Sequence, residues 1–170
     1  MVVIEKKKTL IFTPPKCGST MFHQVMMPQG YRLDGPQFGN DIGKHTTYVP
    51  YGMLKYRKLC LVRDPEDRFR SLYNHYCRVV ADVSQEWYLE RWESFFKFFS
   101  QTLGEMLPPI DGIIRLEHLQ RDVEKQLGFT INVVSLNVAP KIKDIQTPIS
   151  FIEGDLCGYS RFLATTYVYS

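Results

Sequence analysis

The segment formed by residues 9–20 constrains the fold of this 170-residue chain more than any other stretch. Residues 10–12 are apolar in succession, as expected of a strand in a sheet that helices cover on both faces. Pro14 and Pro15 cannot continue a central strand, so the chain is expected to turn there. Gly18 then permits a positive φ or a close backbone approach. The segment predicts a short buried strand, a tight loop and a helix.

The residues that close this loop favour an anion. Ser19 and Thr20 are suited to cap the next helix, whose N-terminus would present N–H groups and a partial positive charge. Lys16 adds a full positive charge, so the loop suits a phosphate or a sulfate. It is not a Walker phosphate loop, because that motif places its lysine directly after a glycine, whereas Lys16 comes two residues before Gly18.

Composition limits the class of protein. With 44% hydrophobic and 23% charged residues, the sequence predicts one soluble globular domain over residues 1–170. The formal charge of +3 is too mild to indicate nucleic-acid binding. No apolar run approaches the ~20 residues of a membrane span, and the lysines at 6–8 follow apolar residues, which is the wrong order for a secretory signal. We therefore expect a cytoplasmic protein.

The cysteines give no metal or disulfide pattern. None of them forms a Cys-x-x-Cys pair, so we expect reduced thiols and no bound metal. They are Cys17, Cys60, Cys77 and Cys157.

A second strand-to-helix junction is predicted after residues 57–62, a run that becomes apolar towards its end. Asp64 can cap the following helix, and Pro65 fits its first position. Arg63 lies at the carboxyl end of the strand, and Ser71 lies on the polar side of the helix. Both are candidates to face a ligand beyond the sheet edge, where open α/β sheets bind ligands.

Apolar spacing of three and four residues predicts two helices in the middle of the chain. The buried stripe of the first helix comprises Phe69, Leu72, Tyr73, Tyr76, Val80 and Val83. The second helix is predicted over residues 85–103, capped by Ser84 and ending before Gly104. Its aromatic stripe is interpreted as core and comprises Tyr88, Trp92, Phe95, Phe96, Phe99 and Leu103.

The last third of the chain is less informative. A strand is predicted at residues 112–116, and a helix from Glu117 to near Gly128. Residues 159–169 fit either a short helix or an added strand. Residues 140–143 form a basic run that matches no clear motif.

His45 is the candidate general base. It follows a loop of about fifteen residues rich in glycine and proline, a length that is often functional. A histidine at the end of a loop is usually an exposed surface residue. The apolar periodicity of the sequence does not distinguish that interpretation from a role as general base. His23 and His118 are expected to be packed or solvated rather than catalytic.

Residues 15–20 resemble the 5′-phosphosulfate loop of sulfotransferases, and residues 61–73 resemble their 3′-phosphate-binding segment. The second match is the order Arg-Asp-Pro, two residues, Arg, an aromatic residue, one residue, Ser, one residue and Tyr, typical of the carbohydrate branch. The resemblance spans roughly residues 10–127. It implies an α/β fold, a single P-loop-NTPase-like three-layer domain with a central, mainly parallel sheet flanked by helices.

The resemblance also implies a cofactor and roles for named residues. The donor would be 3′-phosphoadenosine 5′-phosphosulfate (PAPS), giving adenosine 3′,5′-bisphosphate (PAP) as product. Arg63 and Ser71 would hold the 3′-phosphate, and Lys16 would neutralise charge on the leaving phosphate oxygen. His45 would accept the proton of the acceptor, although Glu or Asp serves as base elsewhere in the family. The 5′-phosphosulfate would be held by Lys16, Cys17, Gly18, Ser19 and Thr20.

The implied reaction moves a sulfuryl group to an acceptor hydroxyl, first of all on a carbohydrate, with no metal, nucleic acid or membrane partner. Tyr31, Tyr48 and Tyr51 are candidates to line the acceptor pocket. Two alternatives stay open, a non-catalytic module that binds PAPS or PAP and a P-loop nucleotide kinase. The sequence does not indicate an oligomeric state.

Overall fold

The computed structural model describes residues 1–32, 45, 47–79, 83–94, 102–133 and 144–166. These residues form an α/β fold on a five-stranded mixed sheet with the strand order β3-β1-β2-β4-β5. The strands are β1 Val2–Ile4, β2 Thr9–Phe12, β3 Tyr31–Arg32, β4 Arg57–Val62 and β5 Gly112–Arg115.

The three predicted strands are confirmed, and they pair in parallel as β2-β4-β5. Ile11 lies beside Leu59, which in turn lies beside Gly112. All three strands are followed by a helix or a helical turn, so the three strand-to-helix junctions lie at one edge of the sheet.

Strand β1 was not predicted, and it makes the sheet mixed rather than mainly parallel. It pairs antiparallel with both β2 and β3. A 3-10 turn at Glu5–Lys7, ended by Lys8 in the left-handed region with φ 48°, reverses the chain between β1 and β2. All of β1 is buried, and this short apolar run lies in the sheet beside β2, the strand that leads into the loop at residues 13–18, here called the anion loop.

The helices are α1 Ser19–Met26, α2 Pro65–Val79, α3 Gln85–Arg91, α4 Leu103–Met106, α5 Leu119–Leu127 and α6 Ile149–Thr166. The single helix predicted over residues 85–103 is wrong. Helix α3 ends at Arg91, a turn follows at 92–94, and Gly104 lies inside α4 rather than beyond a helix end. Its predicted N-terminus is confirmed, because Ser84 accepts a hydrogen bond from the Trp87 N–H. Residues 95–101, including three predicted core phenylalanines, lie outside the described residues.

The side chains form two apolar clusters. One surrounds the sheet and includes β1, β2, β4 and the face of α5. The other is aromatic and comprises Phe69, Leu72, Tyr73, Tyr76, Tyr88, Trp92, Ile145 and Phe151. The predicted stripe of α2 is confirmed from Phe69 to Tyr76, whereas Val80 lies outside the described residues. The prediction is wrong for Val83, which lies beyond the end of α2 and packs half-buried against the aromatic cluster.

Helix α6 resolves the ambiguity at the end of the chain, since residues 159–166 are helical. Phe151 packs edge-on against Phe69, with ring centroids 5.0 Å apart, which joins α6 to α2. Gly154 permits a close approach, because a Cβ there would lie 2.4 Å from Thr102 Cγ2. The basic run at 140–143 lies outside the described residues. Within the part of the chain that is described, no helix is long and apolar enough to cross a bilayer.

Candidate anion-binding site

The loop between β2 and α1 has an unusual backbone. Lys16 has φ 66° and Gly18 has φ 77°, both in the left-handed region. The prediction that Gly18 serves either a positive φ or a close approach is confirmed on both counts, because a Cβ at Gly18 would lie 2.7 Å from Leu116 Cδ1. A lysine at positive φ is uncommon and is maintained only where surrounding contacts fix it.

Those contacts come from three basic side chains, each at a different carbonyl of the loop. His45 Nδ1 lies 2.6 Å from the Thr13 oxygen, and Arg68 Nε donates to the Pro15 oxygen at 3.2 Å. Arg63 Nη1 donates to the Lys16 oxygen at 3.4 Å. The carbonyls of Thr13, Pro15 and Lys16 therefore point towards these side chains.

The start of α1 differs from the prediction. Gly18 occupies the N-cap position, and neither Ser19 nor Thr20 caps the helix with its side chain. The first intrahelical bond runs from the Phe22 N–H to the Gly18 oxygen at 3.0 Å, so the N–H groups of residues 19–21 precede the hydrogen-bonded ladder. Ser19 is buried and Thr20 is exposed. This helix end joins Lys16 in presenting positive charge to an anion.

Cys17 lies in the loop with its side chain in the core. The residue is fully buried, and burial raises the pKa of its thiol to about 12, so the thiol is neutral. Its N–H donates to the Pro14 oxygen at 3.4 Å, which closes the turn. The contribution of Cys17 to the site is therefore made by its backbone.

Arg63 is half-buried at the carboxyl end of β4, immediately before α2. The predicted cap of α2 is confirmed, because Asp64 Oδ1 accepts a hydrogen bond from the Asp67 N–H at 3.1 Å. The Asp64 N–H donates to Glu117 Oε1 at 2.9 Å, which links the end of β4 to the turn after β5.

That turn is itself anchored by an ion pair. Arg115 donates to Asp122 through its backbone N–H at 3.0 Å and its Nε at 2.7 Å. Burial raises the pKa of Asp122, but the hydrogen bonds from Arg115 outweigh it, so the net pKa of this carboxyl lies below its usual range. The pair fixes the turn that carries Leu116 against Gly18 and Glu117 against Asp64.

His45 is brought to the loop although most of its neighbours in the chain lie outside the described residues. It is only 4% exposed. A carbonyl oxygen can only accept, so the contact with Thr13 places a proton on Nδ1, and Nε2 is the ring nitrogen that this contact does not use. His23 lies on the opposite side of the same residue, with Nε2 3.0 Å from Thr13 Oγ1, and is packed as expected.

The structure thus brings most of the predicted site residues together. Ser71 is connected to them only through its position on α2. It is half-buried on α2, six residues after Pro65. Among the described contacts, those joining β4 and α2 to the loop come from Arg63 and Arg68. Sequence reasoning gave Arg68 no role, although this arginine belongs to the matched pattern, since an arginine directly before an apolar stripe resembles any solvated helix residue. It also missed Asp155, on a helix that was not predicted to begin at Ile149.

The described residues contain no group of three or more His, Cys, Asp or Glu side chains arranged to hold a metal ion. Comparisons of the chain with protein-family models, with curated proteins and with solved structures find no match. The site's residues include a lysine, a helix N-terminus and an arginine at one edge of the sheet.

Proposed function

We propose that this protein is a sulfotransferase that moves a sulfuryl group from PAPS to an acceptor hydroxyl. The observation that carries the proposal is the contact between Arg63 Nη1 and the Lys16 oxygen at 3.4 Å. The two segments that resemble the 5′- and 3′-phosphate sites of sulfotransferases are adjacent at the same edge of the sheet. In this proposal, one nucleotide with phosphates at both positions contacts both segments.

The donor set at the first segment suits the 5′-phosphosulfate. Lys16 supplies an ammonium group, and the start of α1 supplies N–H groups and the positive end of the helix dipole. The left-handed residues Lys16 and Gly18 flank Cys17, whose N–H donates to the Pro14 oxygen. In this proposal the backbone donors to the anion are therefore the N–H groups of residues 19–21, and such donors favour tetrahedral oxyanions.

The second segment suits the 3′-phosphate. Arg63 carries a planar guanidinium with five N–H donors that match a phosphate in pairs. Its half-buried position strengthens the charge-assisted bond relative to an exposed arginine. In this proposal Ser71 adds a hydroxyl from the polar side of α2.

PAPS, when bound, supplies an activated sulfuryl group whose S–O bond to the phosphate breaks as a new S–O bond to the acceptor oxygen forms. The residues of the chain align the partners and stabilise charge. Lys16 neutralises the negative charge that develops on the leaving phosphate oxygen. His45 receives the acceptor's proton on Nε2, because its Nδ1 is already committed to Thr13.

The finer assignments belong to the same proposal. They are a P-loop-NTPase-like three-layer arrangement, a cytoplasmic location and a hydroxyl acceptor, with carbohydrates the first class to test. The support for the architecture is the parallel set β2-β4-β5, with each strand leading to a helical turn at the site edge.

The test is a matrix of affinities measured by calorimetry. PAP, adenosine 5′-monophosphate and adenosine 3′-monophosphate are titrated into the wild type, Lys16→Ala and Arg63→Ala, with Lys125→Ala on α5 as an exposed charge control. Arg63→Ala should weaken PAP and the 3′-monophosphate about tenfold or more and leave the 5′-monophosphate unchanged. Lys16→Ala should weaken PAP and the 5′-monophosphate and leave the 3′-monophosphate unchanged. Transfer of radiolabelled sulfate should be abolished in both variants.

Two results would decide against the proposal. Stabilisation by ATP with magnesium but not by PAP would favour the kinase alternative. Binding of PAP by the wild type with no transfer across a panel of oligosaccharides, phenols and tyrosyl peptides would favour a non-catalytic binding module.

A further inference from the structure

Arg68 is the largest fully buried side chain of the protein's described residues, and it lies directly behind the anion loop. It extends from the first turn of α2, and its Nε donates to the Pro15 oxygen at 3.2 Å. Pro15 immediately precedes Lys16, the residue with φ 66°. The arginine therefore holds the peptide group on which the unusual conformation of the loop begins.

A second helix fixes the arginine in turn. Arg68 Nη1 donates to both carboxylate oxygens of Asp155 on α6, at 2.8 and 3.0 Å, and both side chains have no exposed surface. Asp155 Oδ1 also accepts a hydrogen bond from the Leu103 N–H at 2.8 Å. The guanidinium lies over the ring of Phe151, 5.1 Å from its centroid. These contacts leave Arg68 one orientation.

We infer that Arg68 is a positioning residue for the anion loop, held by Asp155 and acting through the Pro15 carbonyl. That the loop binds a nucleotide rests on the proposed function. Without the donor at Pro15, the adjacent Lys16 loses one of the contacts that keep it at positive φ, and the loop is less firmly held in the conformation that receives the anion. Arg63 contacts the Lys16 carbonyl and His45 contacts the Thr13 carbonyl. Among the described contacts, only those of Arg68 link the loop to α6.

Two different atoms of Arg68 make the two contacts, so they can be separated. The ion pair with Asp155 uses Nη1, whereas the loop contact uses Nε. A lysine at position 68 keeps a positive charge near Asp155 but has a methylene group where the arginine has Nε. Arg68→Lys therefore retains the buried pair and removes the donor to Pro15.

The first measurement is hydrogen–deuterium exchange of the protein without nucleotide. In Arg68→Lys, the peptide covering residues 14–22 should exchange at least about tenfold faster than in the wild type. The peptide covering residues 57–62 should be unchanged. Arg70→Lys is the matched control, because Arg70 lies on the same helix but pairs with Glu66 at a partly exposed position.

The second measurement separates positioning from general loss of stability. Arg68→Lys should weaken PAP about tenfold while leaving adenosine 3′-monophosphate unchanged, because the latter has no phosphate at the loop. Damage to the whole domain would weaken both nucleotides alike. If Arg68→Lys does not fold, Arg68→Met with Asp155→Asn removes both charges, preserves an acceptor for Leu103 and is expected to give the same two results.

Unchanged exchange of residues 14–22 in a folded variant would overturn the inference, as would equal weakening of both nucleotides. If the wild type binds no PAP, the proposed function fails, and the exchange measurement still decides whether Arg68 fixes the loop.

Discussion

Arg63 Nη1 and the backbone oxygen of Lys16 lie 3.4 Å apart, although 47 positions separate the two residues in the chain. The contact arises because β2 and β4 are parallel neighbours, so that the residues following them share one edge of the sheet. It brings the segment that carries Arg63 beside the loop that carries Lys16. In the proposed function, one nucleotide meets both residues.

Substitution of Gly18 tests the backbone requirement of the loop. Gly18→Ala should lower the free energy of unfolding by about 1–2 kcal/mol or more, because alanine at φ 77° is strained. Its Cβ would also meet the side chain of Leu116 at 2.7 Å. Urea denaturation measures the change.

Gly52→Ala is the control for Gly18→Ala. A Cβ at Gly52 meets nothing within 4 Å, and its φ is not in the left-handed region. We expect this variant to be as stable as the wild type or slightly more stable. Equal effects of the two substitutions would argue against a special role of Gly18.

His45→Asn tests the general base without removing the contact to Thr13. The asparagine amide can donate near the position of Nδ1, but it has no basic nitrogen near Nε2. Turnover should fall about 10²–10⁴-fold, while PAP affinity should stay within a factor of two. Initial rates of sulfate transfer and calorimetry provide the two readouts.

His118→Ala is the matched control, because that histidine is exposed on the turn after β5. It should retain full turnover. Undiminished turnover of His45→Asn would reject His45 as the base and leave the nucleotide contacts untouched.

The Asp122–Arg115 pair predicts a pH dependence of stability. The pKa of Asp122 is lower in the folded state than its ordinary value, so its contribution is complete above about pH 4 and is lost as pH falls through the folded pKa. Asp122→Asn should cost about 1–3 kcal/mol at pH 7. Below pH 4 the difference from the wild type should shrink.

Urea titrations from about pH 2.5 to about pH 7 measure this difference, because that range brackets the ordinary pKa of an aspartate. Glu124→Gln on the exposed face of the same helix is the control and should leave the profile unchanged. A constant gap between Asp122→Asn and the wild type at every pH would show that charge at Asp122 is not involved.

Burial of Cys17 predicts that it resists alkylation. With a pKa of about 12 and no exposed surface, it should react with iodoacetamide at least about 100-fold more slowly than Cys157, which is exposed on α6. Cys60 should be equally protected, because burial raises its pKa. Mass spectrometry of native and urea-unfolded protein follows each thiol, and rapid native labelling of Cys17 would contradict its placement in the core.

The sequence predicts those parts of the fold that are local. The apolar runs before Pro14 and Arg63 become β2 and β4, and Asp64 caps α2 as its position indicates. In each case the signal lies within a few residues of the structure that it predicts. The aromatic repeat after Ser84 misled the prediction, because ring spacing continued past Arg91, where α3 ends.

The supports of the site are not local, and sequence reasoning could not find them. Arg68 and Asp155 are 87 positions apart, and Arg68 contacts the loop across 53 positions. No short-range pattern distinguishes a buried arginine from a solvated one on a half-polar helix. Strand β1 was missed for another reason, because three apolar residues beside a lysine-rich turn give too short a signal.

A crystal structure of the protein with PAP would show whether one nucleotide spans both segments. We expect the 5′-phosphate on Lys16 and the start of α1, with the 3′-phosphate of the same molecule on Arg63 and Ser71. A nucleotide bound away from this edge of the sheet, or touching only one of the two segments, would contradict it.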